Sequence, residues 1–392
     1  MRLWIDSAHQ SFGHAQDKSL IRAGAAVRGD TTSTFQNKEQ FFAIVASCSQ
    51  SDPIQGKAST ALIAQRAATM LEGGTPLEAV VETLLPTLSE GEHAPFSILQ
   101  VLEGSHAHVV ECDAPPLFLT RGGERVLLPV VEDVSHGRLV RECRFSLQDG
   151  DHIAMVSEGY IHARGWVRRW GWRDIATSIK RLTDTRCDAE QLLGALIRSY
   201  HRLAEGEATR DISVVAMCAR PMRLATVWSG PPVDRSMDKV VLEKFMDGPG
   251  ARIICGGSTA EIAARLLGTE LTLEPRPKAG WMEVPPTSRL EGVDLVTEGL
   301  VTLSKARERI AEARRARDLP RSEDGATRLA QMLLKADSLH FLVGLAVNPI
   351  QASDAAGTIP LRQVVIGDLM RDLEARGKIV SAEYFGGVQN HS

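Results

Sequence analysis

The chain has 392 residues, 43% of them hydrophobic and 24% charged. That length exceeds what one hydrophobic core usually serves, so two domains are expected, and the composition excludes a disordered or fibrous chain. The formal net charge of −4 lacks the basic surplus of a general nucleic-acid binder.

The N-terminal stretch MRLWIDSAHQSF has no cationic start leading into an apolar run, so no secretion signal is expected. FFAIVA, SILQVLE, AHVVEC, PLFLTR, RVLLPV, HIAMVS and ISVVAMCA are short apolar or alternating runs bounded by Gly, Pro and Asp, the pattern of strands. Between them TALIAQRAATMLEGG carries apolar residues at helical spacing and stops at Gly73-Gly74. LEAVVETLLPTLSEG and AEQLLGALIRSYHRLAEG are two further helices. Strands in hairpin-like order with intervening helices predict an α+β fold with antiparallel sheets. The tryptophans of GWVRRWGW (Trp166, Trp170 and Trp172) read as a packing element or as an aromatic patch for a partner.

LATVWSGPPVDRSMDK, 224–239, carries Gly230-Pro231-Pro232 and a polar run, which marks a domain boundary. The expected division is a first domain over 1–222, a linker over 223–239 and a second domain over 240–392. Beyond the boundary, ARIICGG, LTLEP, VDLVTEG and an apolar run within DSLHFLVG alternate with helical segments, which predicts a small α/β layer. The run KARERIAEARRARDLPR, with Glu308 and Glu312 interspersed, reads as a solvated helix face, with a partner surface as the second reading. Six cysteines at 48, 112, 143, 187, 218 and 255 are scattered with no CxxC pair, as in a cytoplasmic protein with reduced thiols. No apolar stretch approaches the ~18 residues of a membrane span.

Four polar strand ends follow one another along the first domain. RGD ends at Asp30, VASCSQSDPIQGKAS spans 45–59, MVSEG spans 155–159 and TRDISVV spans 209–215. Their order, with DAPPLFLTRGG and LQDGDHIAMVSEG between them, resembles the sporulation-phosphatase (SpoIIE) branch of the metal-dependent protein phosphatase 2C family over roughly residues 20–220. The resemblance implies an αββα sandwich with two divalent ions, Mn or Mg, that activate a water against a phosphoserine or phosphothreonine. Such hard cations take oxygen ligands, so the chemistry requires carboxylates.

Carried over position by position, the resemblance makes Asp30 and Glu158 the catalytic carboxylates and metal ligands. The family's Asp-Gly pair falls on Ser47-Cys48, and its last carboxylate falls on Arg210, with Asp211 beside it as a further metal ligand. Each carboxylate about 4 Å from a unit positive charge contributes roughly 4 kcal/mol at an effective dielectric near 20. Losing two and adding a cation predicts weakened or absent turnover. Arg210 is then expected to take the place of an ion, its planar fork bridging Asp30 and Glu158. Beside these stand plainer readings. Asp30 is also a turn residue, Glu158 a solvated loop end, Asp211 a cap and Cys48 an inert thiol with no neighbouring base. Asp52 is a substitute ligand or, before Pro53, a turn residue.

In the second domain, ARIICGGSTAEIAARLLG reads as strand, glycine turn and helix, with Ser258 and Glu261 forming a capping box. If VDLVTEG is a parallel neighbour of ARIICGG, both following loops share one sheet edge. Gly256, Gly257, Ser258, Thr259, Thr297 and Glu298 then line a ligand-binding crevice. The CGGSTA and DLVTEG stretches also resemble the C-terminal extension of some sporulation-phosphatase-type proteins of anaerobes. No GxGxxG and no Walker lysine is present.

The fold expected is thus a phosphatase 2C-like sandwich followed by a smaller α/β domain. The function expected is that of a regulatory serine/threonine phosphatase, weakened or inactive. The alternative is a pseudophosphatase that binds a partner protein or a small anion through its second domain. The partner expected is a phosphoprotein or regulatory protein rather than nucleic acid or membrane, and a homodimer stays open.

Overall fold

The computed structural model describes residues 2–12, 30–47, 53–88, 94–161, 172–183, 187–203, 211–275, 284–313, 316–346 and 361–386, and the chain divides into two units, Met1–Pro221 and Met222–Ser392. In the first unit β1 (Leu3–Phe12), β2 (Thr31–Gln36) and β3 (Gln40–Ala46) precede helices α1 (Pro53–Glu72) and α2 (Leu77–Leu84). There follow β4 (Phe96–Leu102), β5 (His106–Cys112), β6 (Phe118–Arg121), β7 (Glu124–Arg125), β8 (Val131–Ser135), β9 (Arg138–Ser146) and β10 (His152–Val156). Helices α3 (Glu158–Ile161), α4 (Trp172–Thr183) and α5 (Ala189–Leu203) lead into β11 (Ile212–Pro221).

The strands form two antiparallel sheets, ordered β1-β11-β10-β6-β7 and β2-β3-β4-β5-β9-β8. FFAIVA is apolar throughout because both of its faces are buried. Phe41, Ala43 and Val45 meet the other sheet, while Phe42, Ile44 and Ala46 meet α1 and α2. β11 divides in the same way, with Val215 and Met217 between the sheets and Ile212, Val214 and Ala216 under α4 and α5. Alternation of period two, doubled by burial on both faces, produces three stacked cores and hence an αββα sandwich. Each fully buried side chain of Phe42's kind contributes about 1.5–3 kcal/mol by leaving water.

The second unit holds β12 (Leu224–Ser229), α6 (Asp238–Asp247), β13 (Ala251–Cys255), α7 (Gly257–Leu267), β14 (Thr272–Leu273), β15 (Ser288–Arg289) and β16 (Leu295–Thr297). It continues with α8 (Leu300–Glu312), α9 (Gly325–Lys335), β17 (Ser338–Gly344), α10 (Leu361–Glu374) and β18 (Ile379–Phe385). Its sheet is ordered β14-β15-β16-β13-β12-β17-β18, parallel from β16 to β18, with β14 and β15 antiparallel at one edge. Trp228, Phe245, Ile254 and Ala260 build the core under α6 and α7. Val227, Ile253, Leu303, Leu329 and Ile366 build the core on the opposite face, under α8, α9 and α10.

Two expectations are corrected. Residues 223–239 are not a linker. Leu224–Ser229 is the central strand β12, paired on both sides, and the division between the units falls at Pro221. The Gly-Pro-Pro that follows ends a buried strand instead of marking a boundary. Second, only Arg125 of RVLLPV belongs to a strand, and the edge strand begins at Val131. Val126 and Leu128 pack, partly buried, on the inter-sheet core from an irregular segment tied to β6 by the Val126 amide on Leu119 O, so their apolar character reflects packing and not a strand. The Arg-rich run also differs from a plain solvated face. Arg307 binds Asp368 and Asp372 of α10, and Arg309 binds Asp324, which caps α9. Trp166 and Trp170 lie outside the described residues.

Candidate functional site

Asp30, Ser47, Glu158 and Asp211 stand at one end of the sandwich. Thr31 pairs with Ala46, so Asp30 just before β2 and Ser47 just after β3 flank one rung. Val156 pairs with Val214, which brings the residue after β10, Ser157, to Ser213 and sets Glu158 and Asp211 at the same strand ends. Phe12 pairs with Ile212, which sets the end of β1 there too. At the opposite end, Gly104 in the β4–β5 turn lies against Leu3, and the Gln36 carboxamide lies within hydrogen-bond reach of the Ile5 backbone. β11 packs across the sandwich on β2 and β3.

Asp30 is 7% exposed and Ser47 is 5% exposed. Between β10, β11 and β1 lies a row of hydroxyls. The Ser213 amide donates to Ser157 Oγ at 2.8 Å, and Ser11 Oγ meets Ser213 Oγ at 2.7 Å. The Asp211 charge reaches Tyr200 of α5, where it adds to burial in pushing the phenol pKa up. None of Asp30, Glu158 and Asp211 is without an interaction partner. Cys48 and Arg210 lie outside the described residues.

Among the described residues, no group fits the two-metal centre that the family resemblance implies. The position-by-position resemblance puts the bridging carboxylate at Ser47, and the serine that follows β3 brings no charge. Among the described residues, the one group of three or more potential ligands within 4.8 Å of one another is Glu78, His108 and Glu142, which is elsewhere in the unit. Asp30, Glu158 and Asp211 do not form a second such group.

The Glu78–His108–Glu142 group escaped sequence reasoning because cross-strand register creates it, His108 facing Arg144 on β9. His108 Nε2 lies 3.0 Å from Glu142 Oε1, and Arg144 bonds both carboxylates. Burial holds the imidazole below its ordinary pKa, with Arg144 adding to the effect. The guanidinium already offsets one of the two carboxylate charges, beside a cavity of about 630 Å³ that also reaches Gln40 and Gln100.

Glu111 was also missed. Its place two residues after Val109 puts it on the inward face of β5, a signal that the alternation in AHVVEC carries. It accepts from the Leu117 amide at 2.5 Å and pairs with Arg141 at 3.1 Å. Burial pushes its pKa up to about 7 against the pull of Arg141. It lines a cavity of about 130 Å³ with Leu117, Leu119, Val126 and Leu128.

In the second unit Ile253 pairs with Leu295 and Cys255 with Thr297, so the loops after β13 and β16 share one edge. The Gly256 amide donates to Thr297 O at 2.8 Å. A Cβ on Gly257 would stand 3.1 Å from Glu298 Oε1, so the glycine lies directly against that carboxylate. Thr259 Oγ1 accepts from the Gly230 amide at 3.1 Å, which ties in the loop after β12. Thr259 and Thr297 are buried, while Ser258 and Glu298 are exposed. The expected Ser258 capping box does not form. Gly256, at φ 142°, is the N-cap of α7 and brings no side chain, so Ser258 is already inside the helix. The helix thus starts two residues earlier than the serine suggested, with the Gly256 amide held by Thr297 O.

No protein-family model and no curated protein matches the sequence. Solved structures do. The phosphatase domain of the cell fate determinant SpoIIE from Bacillus subtilis is similar over 56% of this chain and 93% of its own, at 14% identity and a TM-score of 0.42. The RsbU and RsbW domains of a Mycobacterium tuberculosis protein are similar over 62% of this chain and 67% of theirs, at 15% identity and a TM-score of 0.44. The SiaA-PP2C domain of Pseudomonas aeruginosa is similar over 54% of this chain and 84% of its own, at 13% identity and a TM-score of 0.42. The first of these neighbours is a phosphatase domain and the last a PP2C domain.

Proposed function

We propose that the first unit is a phosphatase 2C-type module that has lost turnover and acts in regulation by engaging a phosphoprotein or regulatory protein. The observation that carries this reading is Ser47, buried at the end of β3 beside Asp30, where the chemistry needs a bridging carboxylate. The retained carboxylates Asp30, Glu158 and Asp211 share an end of the sandwich without forming a group of potential metal ligands. What this end does well is present a shaped, partly polar surface built on rigid strand ends, the usual place for recognition. A cytoplasmic setting agrees with the described cysteines, which are all free thiols. Among the described residues no helix is long and apolar enough to cross a membrane.

The test is hydrolysis of p-nitrophenyl phosphate and of a phosphoserine peptide by the full chain, with Mn²⁺ or Mg²⁺ added. The expected result is no metal-dependent rate, and no difference between the native chain and Asp30→Ala. A metal-dependent rate that Asp30→Ala abolishes overturns the reading and restores the enzyme.

A further inference from the structure

We propose that the second unit binds a phosphate ester of a small hydroxylated molecule at the carboxyl edge of its parallel strands, with Arg362 holding the phosphate and Glu298 the hydroxyls. This inference concerns the other unit and does not rest on the reading of the first.

The sheet order decides where to look. From β12 the chain runs outward through β13 and β16 with α6 and α7 on one face. It then returns to the other side of β12, placing β17 and β18 with α8, α9 and α10 on the opposite face. The order reverses between β12 and β17, and open α/β sheets bind ligands outside the strand ends at such a reversal.

Arg362, in the first turn of α10, stands at that edge. A Cβ on Gly230, the residue after β12, would lie 2.5 Å from its Nη1 and 2.7 Å from the carbonyl of Gly344, the last residue of β17. Its charge also reaches Cys255 at the end of β13, opposing the burial that pushes that thiol up to about 12. The Arg362 Nε is shut off from solvent with no hydrogen-bond partner. Arg307, Arg309 and Arg328 of the same unit each lie on a carboxylate. Arg362 has none among the described residues, and burial holds its pKa down. Burying part of a guanidinium without a counter-ion carries a desolvation cost that an arriving anion offsets. The planar fork suits a phosphate.

The neighbouring loops determine which anion. Gly257, which has no side chain, opens the first turn of α7 at this edge. Glu298 follows β16, two strands and about 10 Å of sheet from β12, and its carboxylate reaches over to Gly257 just beyond the end of β13. A carboxylate repels a bare phosphate and accepts hydroxyl protons. A ligand with phosphate at one end and hydroxyls at the other satisfies both groups.

The test is calorimetric titration of the full chain with ribose 5-phosphate, AMP, adenosine and inorganic phosphate. Both esters are expected to bind, adenosine not to bind, and inorganic phosphate to bind about tenfold or more weakly than the esters. Arg362→Gln is expected to lose about tenfold or more in ester affinity, and Glu298→Gln to weaken the esters without weakening inorganic phosphate. Melting of the ligand-free variants separates this from a structural role. Replacing an unpaired buried cation leaves the melting temperature equal or higher, and the esters raise it only when Arg362 is present. Failure of both esters to bind, ester binding indifferent to Arg362→Gln, or a lowered melting temperature in that variant overturns the proposal.

Discussion

Ser47 concentrates the functional question into one side chain. A carboxylate there would face Asp30 across one rung of the β2–β3 pair and supply charge that a hydroxyl does not. At an effective dielectric near 20 that charge is worth roughly 4 kcal/mol to a nearby unit cation, close to a thousandfold in affinity. Ser47→Asp is therefore expected to tighten Mn²⁺ binding by at least about tenfold over the native chain, read by calorimetric titration. Equal affinity in the two proteins would show that the side chain at 47 does not govern metal binding. Glu111 makes a second prediction at this scale. Burial, against the pull of Arg141, raises its pKa from 4.5 to about 7. Between those values the folded protein binds more protons than the unfolded chain, so stability is full below the unfolded pKa and is lost as pH rises through about 7. The native protein is expected to lose about 3 kcal/mol relative to Glu111→Gln between pH 4.5 and pH 8, measured by urea unfolding of the first unit. A constant difference across that range would show that the carboxyl does not titrate there.

Helix α9 shows how elements are tied together. Asp324 accepts from the amides of Ala326 and Thr327, and it also receives Arg309 from α8. One carboxylate thus caps one helix and anchors another. Burial works against its charge, yet Arg309, Ser322 and the Thr327 amide hold its pKa below the usual value. A depressed pKa adds stability above the unfolded value that is lost as pH falls through the folded one, on the acid side. Asparagine caps nearly as well as aspartate but cannot pair with Arg309. Asp324→Asn should keep the cap and remove the acid-side dependence, whereas Asp324→Ala should cost about 1 kcal/mol more through the lost cap. Equal unfolding curves for the two variants would show that the cap contributes nothing.

At the scale of the whole molecule, the chain is two units with separate cores. Gly250, between α6 and β13, adopts φ +82°, and a Cβ there would lie 2.0 Å from Leu224 O. Gly250→Ala should therefore destabilise the second unit by more than about 1 kcal/mol through strain and collision. Calorimetric unfolding is expected to show two transitions, with this variant lowering one and leaving the other in place. A single transition shifted as a whole would mean that the two cores unfold together.

The sequence by itself determined what local pattern determines. The helices α1, α5, α7 and α9 follow from their apolar spacing, and β3, β4, β5, β10 and β11 follow from runs long enough to be buried on both faces. So do the α+β class and the serine at the end of β3. β1 and β8 were not legible, because LWIDSAHQSF and VEDVS mix charge and hydroxyls into strands whose pairing, not whose composition, makes them strands. Only the tertiary structure decided that LATVWS is a central strand, since its partners lie at 251–255 and 338–343. The same holds for Glu111 with Arg141, for His108 between two glutamates, and for Arg362 beside Gly230 and Gly344. Each of these groups joins residues about 30 to more than 100 positions apart. Periodicity reports which face a residue takes, while strand order and register decide what that face meets.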